Sequence, residues 1–435
     1  MKSKILVSVV LLLASSMSFG QSDEAVRSLT VDEAVELAKK NNVSVARSQI
    51  TLDAAARAKS HSWNSISPTA SLSASSTVPL DALSDVDSNY TASFGLSATV
   101  SLSLSANLYT SMNAAKIAYE SGKLTFDDAV KSVELGVREA FYGLLYEREN
   151  IVLQERNLEI AKTQYNNNLA KYNQGRLSEI DVLSAEVNYK SKIPTVESAR
   201  TTFLNDLASF KQTLGLKLDD KIELAGTLDD LINLNEISVD VKNVQSSSIK
   251  LLEYKLESAK NSVLDKRFSA FAPSLNASFN WSDEKWYVGY DGNAPDAQKS
   301  ASLRLSATIP LDGVLPWSAR NDAVDSAQDT VKDLELQLDN EKKNLTRTVM
   351  SSLRSIKQSQ ESIKYKQANV TLAQKTYDMT AEAYNRGTKD LLTLQNANTS
   401  LLNAQVSLKS ETLTLIKTIL NLENTIGVDF GTLGK

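Results

Sequence analysis

Four segments of the chain alternate between apolar and polar residues, position by position. The clearest is residues 94–104, where Phe, Leu, Ala and Val alternate strictly with Gly, Ser and Thr. Residues 274–281 and 301–309 repeat this pattern, and residues 70–78 show a weaker form of it. A period of two gives a β-strand one apolar and one polar face. The sequence therefore predicts four such strands.

The setting of these strands has two interpretations. A half-buried sheet in a soluble sandwich gives the same alternation. A tilted membrane strand needs about 9–11 residues, and the polar residues here are small enough to line a water-filled lumen. Aromatic residues also flank the strand ends, as the two girdles of an outer-membrane barrel would: Tyr90, Trp281, Trp286, Tyr287 and Tyr290 at one end, Trp63 and Trp317 at the other. We therefore expect membrane strands.

Elsewhere the apolar residues recur at spacings of three and four, which predicts amphipathic helices. The longest such segments, 111–172 and 319–384, would each span roughly 90–100 Å at 1.5 Å per residue. Each is followed by a shorter return helix, at 178–214 and 389–426. Helices of this length exceed what a globular domain needs. A narrow apolar seam with polar faces elsewhere favours coiled-coil packing.

Two local signals refine the helices. Thr30 is followed three residues later by Glu33, which predicts a capping box at the start of a helix that runs to about Ser60. Pro194 lies inside the first return helix, where it is expected to bend the helix. Its counterpart in the second return helix, Val406, carries no such expectation.

The chain repeats itself. Residues 157–215 align without gaps on residues 369–427, and the strand segments recur upstream of both in the same order. The aligned identities are Tyr165, Tyr172, Asn173, Gly175, Ala185, Thr202 and Gly215 with Tyr377, Tyr384, Asn385, Gly387, Ala397, Thr414 and Gly427. Each repeat comprises a helix, a β-hairpin, a long helix and a return helix. We expect a first repeat at 21–215 with its hairpin at 68–104, and a second at 249–427 with its hairpin at 273–311.

The composition excludes several classes of function. Residues 1–20 have the basic, apolar and small-residue parts of a secretory signal peptide, with an apolar core too short to span a bilayer as a helix. The chain has no cysteine and a single histidine, His61. A thiol nucleophile, a lipid-anchored lipoprotein and a histidine metal cluster are thereby excluded. We predict no catalytic site, no cofactor and no metal, and the net charge of −5 gives no basis for a nucleic-acid partner.

Four strands cannot close a membrane barrel, because the smallest barrels have about eight. Open strand edges cannot face lipid, since their amide groups would lack hydrogen-bond partners. The subunits must therefore pool their strands, eight in a dimer or twelve in a trimer. A water-filled channel favours the larger number.

The order of elements, written twice behind a signal peptide, resembles the TolC-like outer-membrane efflux proteins. The resemblance covers essentially the whole mature chain. Its sharpest signature is the turn after each long helix: Tyr172-Asn173-Gln174-Gly175 before Ile180-Asp181-Val182-Leu183, and Tyr384-Asn385-Arg386-Gly387-Thr388 before Leu391-Leu392-Thr393-Leu394. The expected fold is mainly α with a small β part. It implies a homotrimer with a 12-stranded outer-membrane β-barrel, four strands per chain, continued by a long periplasmic α-helical coiled-coil barrel.

The resemblance also implies a function and partners. The chain would be an exit duct at the outer membrane, conducting substrates passively from the periplasm or from an inner-membrane pump. A periplasmic adaptor and an inner-membrane pump or ABC transporter would be its partners, with residues 216–248 and the tail 428–435 forming a band around the middle of the tunnel. The alternative is a periplasmic or surface coiled-coil scaffold or adhesin. The cargo is not encoded in any recognisable motif.

Site residues follow from the same resemblance. The starts of the return helices would line the periplasmic mouth, where acidic residues attract cations. The gate residues expected by motif are Asp181, Glu179, Tyr384, Lys389, Asp390, Thr393 and Asn396. The second repeat departs from the acidic pattern at Thr393 and Asn396, so Asp181 is expected to dominate a modest cation preference. The adaptor would contact the helix tips, at Gly175, Arg176, Leu177, Gly387 and Thr388.

Overall fold

The computed structural model describes residues 27–77, 91–229, 237, 246–288 and 298–433. The signal peptide expected at 1–20 lies outside the described residues, and so does the segment 79–89, where the sequence predicts the loop of the first hairpin. Helices dominate the described chain, with one four-stranded sheet and one short two-stranded sheet. Among the described residues, no helix combines the length and the apolar character needed to cross a bilayer.

Seven α-helices carry the fold in the described ranges. They are α1 (Val31–Asn41), α2 (Val43–Ser60), α3 (Asn107–Asn173), α4 (Glu179–Thr213), α5 (Ser247–Phe271), α6 (Ala319–Asn385) and α7 (Leu391–Ile426). The two long helices, α3 and α6, are 67 residues each, or about 100 Å at 1.5 Å per residue. Their starts are offset by the same interval as the aligned repeats, so position 157 in α3 corresponds to position 369 in α6.

The first helix departs from its prediction. The capping box at Thr30 is present, with its hydroxyl accepting from the Glu33 amide at 3.3 Å. The expected single helix is nevertheless broken at Asn42, whose backbone is extended. The Asn42 side chain caps α2 by accepting from the Ser44 amide, and it donates to the Thr213 carbonyl at 3.1 Å. These bonds replace the helical hydrogen bonds that the break removes.

The described strands are β1 (Arg27–Leu29), β2 (Thr69–Thr77), β3 (Thr91–Ser105), β4 (Ile222–Leu224), β5 (Ser274–Val288) and β6 (Gln298–Thr308). Four of them form an antiparallel sheet in the order β2-β3-β5-β6. Pro68 and Pro273 immediately precede the first strand of each hairpin. The sequence places a loop at 282–299, between the alternating segments 274–281 and 301–309. Its predicted extent is wrong, because residues 282–288 continue β5 and pair with β3.

The register of the sheet collects apolar residues in continuous rows. Ala70, Val100, Phe279 and Leu303 form one row, and Leu104, Leu275 and Ala307 form another. The other face carries mainly serine, threonine and asparagine, with Arg304 opposite Ser278. The outer end of the apolar face carries an ion pair between Lys299 and Asp283 at 3.7 Å. One face is therefore apolar across all four strands, and many of its side chains are exposed in the single chain.

Buried side chains concentrate at the middle of the long helices rather than at their ends. Val137 and Phe141 of α3 pack with Leu29, Leu224 and Leu228 in one cluster. A second cluster joins α6 to α7. The parallel pairing of β1 with β4 brings the start of the described chain to this level.

The C-terminal tail packs at the middle of the long helices as well. Glu423 of α7 is fully buried, and its carboxylate accepts from the amides of Gly431 and Leu433 at 2.9 and 2.8 Å. Buried carboxylates are stable when their oxygens accept such hydrogen bonds. The tail therefore forms part of the packed middle of the molecule.

The helices divide into two regions along the long axis. On the sheet side, α3 packs against α2 and α5, and α6 packs against α5. On the far side, α3 packs against α4 and α7, and α6 packs against α7. The α3–α4 and α6–α7 turns lie at that far end.

Candidate gate at the helix tips

Both long helices end in the same turn. Gly175 and Gly387 adopt positive φ angles of 69° and 78°, a conformation that glycine adopts without the steric cost of a Cβ. In the first turn, the Arg176 amide donates to the Lys171 carbonyl at 2.9 Å, and in the second the Thr388 amide donates to the Ala383 carbonyl at 2.9 Å. The exposed tips predicted at these positions are therefore built from one repeated backbone motif.

Each return helix then begins with a hydroxyl–carboxylate pair, but the two partners exchange places. In α4 the N-cap is Ser178, whose hydroxyl donates to the Asp181 carboxylate at 2.6 Å. In α7 the N-cap is Asp390, whose carboxylate accepts from the Thr393 amide at 2.7 Å. The acid that the second repeat lacks at Thr393 is thus supplied three residues earlier. The helix dipole stabilises carboxylates at both helix N-termini, Glu179 and Asp181 in α4 and Asp390 in α7.

The hydrogen bonds at the start of α7 favour the ionised form of Asp390. The bonds from Thr393 hold the pKa of the Asp390 carboxyl below its ordinary value, and the nearby Lys389 ammonium lowers it further. Asp390 therefore stays ionised at mildly acidic pH.

Tyr384 joins α6 to α3 close to the tips. Its hydroxyl donates to the Asn168 side-chain oxygen at 2.8 Å, and Gln164 donates to the same oxygen at 3.0 Å. Asn168 is fully buried. A buried hydrogen bond between two helices helps to fix their relative position, because separating the helices breaks it. This contact is the strongest candidate for a bond that holds the mouth in one conformation.

Charged groups surround this contact. The Lys171 ammonium lies 5.2 Å from the centre of the Tyr384 ring. Burial raises the pKa of the Tyr384 phenol, and the negative charge of Asp181 raises it further. The phenol therefore keeps its proton for donation to Asn168. Asp181 and Tyr384, both predicted from the sequence, are brought into one electrostatic environment.

The remaining predicted gate residues stand apart from this contact. Glu179, Lys389 and Asn396 are exposed at the starts of the return helices. At the tips, Arg176 is exposed and Leu177 is partly buried. These side chains are available at the end of the molecule, and no described hydrogen bond ties them into the Tyr384 contact.

Three participants were not anticipated from the sequence: Gln164, Asn168 and Ser178. The signal for Ser178 was present, since serine three residues before an aspartate at a helix start is a capping pattern. Asn168 and Gln164 gave no such signal, because their partner is more than 200 positions away along the chain. Among the described residues, no group of three or more His, Asp or Glu side chains could hold a metal ion.

Solved structures share this fold. The Campylobacter jejuni outer membrane channel CmeC superposes with a TM-score of 0.74 at 19% identity, covering 98% of this chain and 94% of CmeC. The Vibrio cholerae outer membrane protein VceC gives 0.72 at 15% identity, covering 92% and 96%. The open state of the Neisseria gonorrhoeae outer membrane channel MtrE gives 0.63 at 17% identity, covering 92% and 89%. A search of curated protein sequences finds no match.

A family model shows the family as well as the fold. The model for outer membrane efflux proteins matches residues 34–216 and 244–428, which include both repeats. This family consists of channels rather than enzymes, so the duct is favoured over a coiled-coil scaffold. The chain belongs to the outer membrane efflux protein family and is an outer-membrane channel that extends into the periplasm as an exit duct for efflux.

Proposed function

We propose that three copies of this chain assemble into one duct that works with a periplasmic adaptor and an inner-membrane pump, and that the helix tips form its gate. The observation that carries the proposal is the uncovered face of α4. Within the described chain, α7 packs against both α3 and α6, whereas the extensive contacts of α4 are with α3 alone.

The repeat indicates what covers that face. If the two repeats have equivalent surroundings in the assembly, α4 should lie between its own α3 and the α6 of a neighbouring subunit. The exposed apolar side chains of α4 support this arrangement, because Ile180, Leu183 and Val187 are each more than half exposed. Surfaces of this kind mark protein interfaces.

Equivalence between the repeats also gives specific contacts. Asn398 of α7 donates to Asn157 of α3 at 2.5 Å, in a buried position. The same positions in the other repeat are Glu186 of α4 and Asn369 of α6. We expect these two residues to face each other between subunits.

The sheet requires the same arrangement. β2 and β6 are its outer strands, and each pairs on one side only within the described residues. Open edges cannot face lipid, so β6 of one subunit would pair with β2 of the next. Three subunits with four membrane strands each would give twelve strands.

A crosslinking experiment tests the assembly. The chain has no native cysteine, so Glu186→Cys/Asn369→Cys introduces the only thiols. A short bis-maleimide crosslinker, which adds one cysteine thiol at each end, should convert the membrane-inserted double variant into covalent dimers and trimers on a denaturing gel. The matched control, Asn157→Cys/Asn398→Cys, should crosslink within one chain and give no ladder. A ladder that stops at dimers, or its absence despite crosslinking of the control, contradicts the proposal.

The adaptor is proposed to contact the two glycine turns. Nothing lies within 4 Å of a Cβ built at Gly387 or Gly175, so a side chain there would project into solvent. Replacing both glycines with leucine adds backbone strain of about 1 kcal/mol per site and a bulky obstacle to docking. Export by cells should fall while crosslinked trimers persist. Unchanged export would show that the adaptor does not dock on these tips.

A further inference from the structure

The polar face of the four-stranded sheet is built from small neutral side chains. Thr69 and Ser101 are hydrogen-bonded at 2.8 Å, Thr99 donates to Asn280 at 2.8 Å, and serines at the next row are similarly paired. In the rows of this face from Ser274 to Ser282, only Arg304 carries a charge. A single cation among hydroxyl and amide groups therefore needs an explanation.

Arg304 has no acidic neighbour in the sheet. Its cross-strand partner is Ser278, and the same row continues through Ser101 to Thr69. The rows above and below contain Ser, Thr and Asn only. By contrast, Lys299 on the opposite face of the same strand pairs with Asp283. The guanidinium of Arg304 is exposed and its charge is not neutralised within the sheet.

The height of Arg304 is also informative. It lies between Leu303 and Leu305, which point to the other face and are 70% and 73% exposed. These leucines belong to the apolar rows that would contact lipid. An arginine in lipid at the middle of a bilayer costs about 2–4 kcal/mol, so its own face must be the wetted one. Arg304 thus lies in the lumen, near the middle of the membrane-spanning rows.

We propose that Arg304 determines the charge preference of the membrane-spanning part of the duct, and that three copies form a cationic belt that favours anionic solutes. This inference rests on the proposed trimer. Twelve strands spaced 4.8 Å apart and tilted about 40° enclose a cylinder about 12 Å in radius. Guanidinium groups that project inward from that wall leave the axis within about one Debye length, ~8 Å at physiological ionic strength.

The proposed belt carries positive charge, whereas the mouth carries negative charge. Asp181 and Asp390 place carboxylates at the helix tips, whereas Arg304 places cations at the other end of the duct. A small cation would be favoured at the first position and disfavoured at the second, and an anionic solute the reverse. Measured selectivity is then the result of two filters in series, and neither filter can be assigned from the wild-type channel alone.

Reversal potentials in planar bilayers under a KCl gradient test the belt. Arg304→Gln should raise the K⁺/Cl⁻ permeability ratio about three- to sixfold, an estimate from Coulomb's law in water with one Debye length of screening. Lys299→Gln is the matched control, since it removes the same charge five positions away on the opposite face; it should leave the ratio unchanged. An unchanged ratio in Arg304→Gln, or equal shifts in both variants, overturns the proposal.

A thiol at the same position gives a second measurement. Arg304→Cys carries the only cysteine of the chain, and a cationic methanethiosulfonate should restore the wild-type ratio while an anionic one should raise it beyond that of Arg304→Gln. A thiol that reacts with neither reagent in the membrane shows that the position faces lipid and overturns the belt. The Glu186→Cys/Asn369→Cys crosslink, measured in an Arg304→Gln background, separates the two ideas. Its failure rejects the trimer, whereas crosslinked trimers whose permeability ratio does not respond to Arg304→Gln reject only the belt.

Discussion

The two return helices have nearly the same length and aligned sequences, yet they occupy different environments. Four of the 35 residues of α4 are buried, against fourteen of the 36 residues of α7. Leu204 of α4 is 61% exposed, whereas Ile416, which occupies the equivalent position in α7, is 6% exposed and belongs to a core cluster. Equivalent sequence positions therefore contribute to the subunit core in one repeat and to its surface in the other.

The difference indicates that the repeated apolar pattern serves contacts between subunits as well as contacts within one subunit. An amphipathic pattern specifies a face to be covered but not the chain that covers it. In the second repeat the cover is supplied by α3 of the same chain. In the first repeat the proposed cover is α6 of a neighbour, so the apolar residues of α4 would stabilise association instead of folding.

The largest expected effect follows from the Leu204 and Ile416 pair. Ile416→Ala should lower the free energy of unfolding by about 2–5 kcal/mol, because it removes buried methyl groups and leaves a cavity. Leu204→Ala should change it by less than about 0.5 kcal/mol in the dissociated subunit, while reducing the trimer fraction at low concentration. Denaturant unfolding of dilute detergent-solubilised protein, with native mass measured alongside, checks both. Equal losses of subunit stability in Ile416→Ala and Leu204→Ala would show that α4 and α7 contribute alike to the core of the subunit.

A smaller effect is expected at the two tyrosines of the tips. Tyr384→Phe removes the hydrogen bond to Asn168, worth about 1 kcal/mol net, and should raise the open probability of single channels severalfold. The equivalent Tyr172 of α3 is 41% exposed, and its equivalent partner would be Thr380 of a neighbouring subunit. Tyr172→Phe should therefore act in the same direction but more weakly. Channels that open less often after Tyr384→Phe would exclude this contact as a closing bond.

The features that the sequence predicted correctly are those with a local period. Strict alternation in residues 94–104 and 301–309 placed both segments in strands, and the register confirms that their apolar residues share rows. The spacing of apolar residues gave α3 and α6 nearly to their ends. Such signals depend on neighbours within a few positions, which the sequence shows directly.

The features that escaped prediction depend on distant partners. The break at Asn42 has a local signal, because asparagine is a preferred cap at a helix start. The bond from Asn42 to Thr213, 171 positions away, has none. Asn168 was overlooked for the same reason. The exchange of acid and hydroxyl between Ser178/Asp181 and Asp390/Thr393 was visible in the sequence. The alignment of the repeats sets Ser178 opposite Asp390 and Asp181 opposite Thr393. Each position therefore looks mismatched, although both helix starts hold one hydroxyl and one carboxylate in reversed order.

A further difference between the repeats appears where α3 meets α4. Glu147 lies beside Asp206, whereas the equivalent positions in the second repeat hold Ser359 and Thr418. Burial raises the pKa of Glu147 to about 7 from an ordinary 4.5, and the adjacent Asp206 carboxyl raises it too, against a lowering by Lys417 of α7. The neighbouring acid, Glu149, is instead paired with Lys409 at 2.8 Å. One carboxyl pair between α3 and α4 therefore holds a proton near neutral pH.

The sign of the resulting pH dependence follows from linkage. Between pH 4.5 and about 7 the folded chain binds more protons at Glu147 than the unfolded chain does, so stability falls as pH rises through that window. Solvent screening at this half-buried position limits the effect to about 1 kcal/mol. Thermal midpoints at pH 5 and pH 8 should therefore differ less for Glu147→Gln than for the wild type. Glu155→Gln, which removes an exposed acid paired with Arg200, is the control that should retain the wild-type difference.

The smallest expected effect compares the acids of the two repeats at the mouth. Asp181→Asn should lower the K⁺/Cl⁻ permeability ratio, because in the proposed trimer three carboxylates around a narrow opening favour cations. Asp390→Asn should act in the same direction but less, since the nearby Lys389 already offsets its charge. Asp390→Asn preserves the start of α7, because asparagine caps as well as aspartate, and Asp181→Asn leaves the Ser178 cap of α4 in place. A change in selectivity therefore reports charge rather than folding. Since Asp390 stays ionised at mildly acidic pH, its contribution should persist when the measurement is repeated at pH 5. If Asp390→Asn has the larger effect, the second repeat supplies the dominant acid of the mouth and the expected order of the two repeats is reversed.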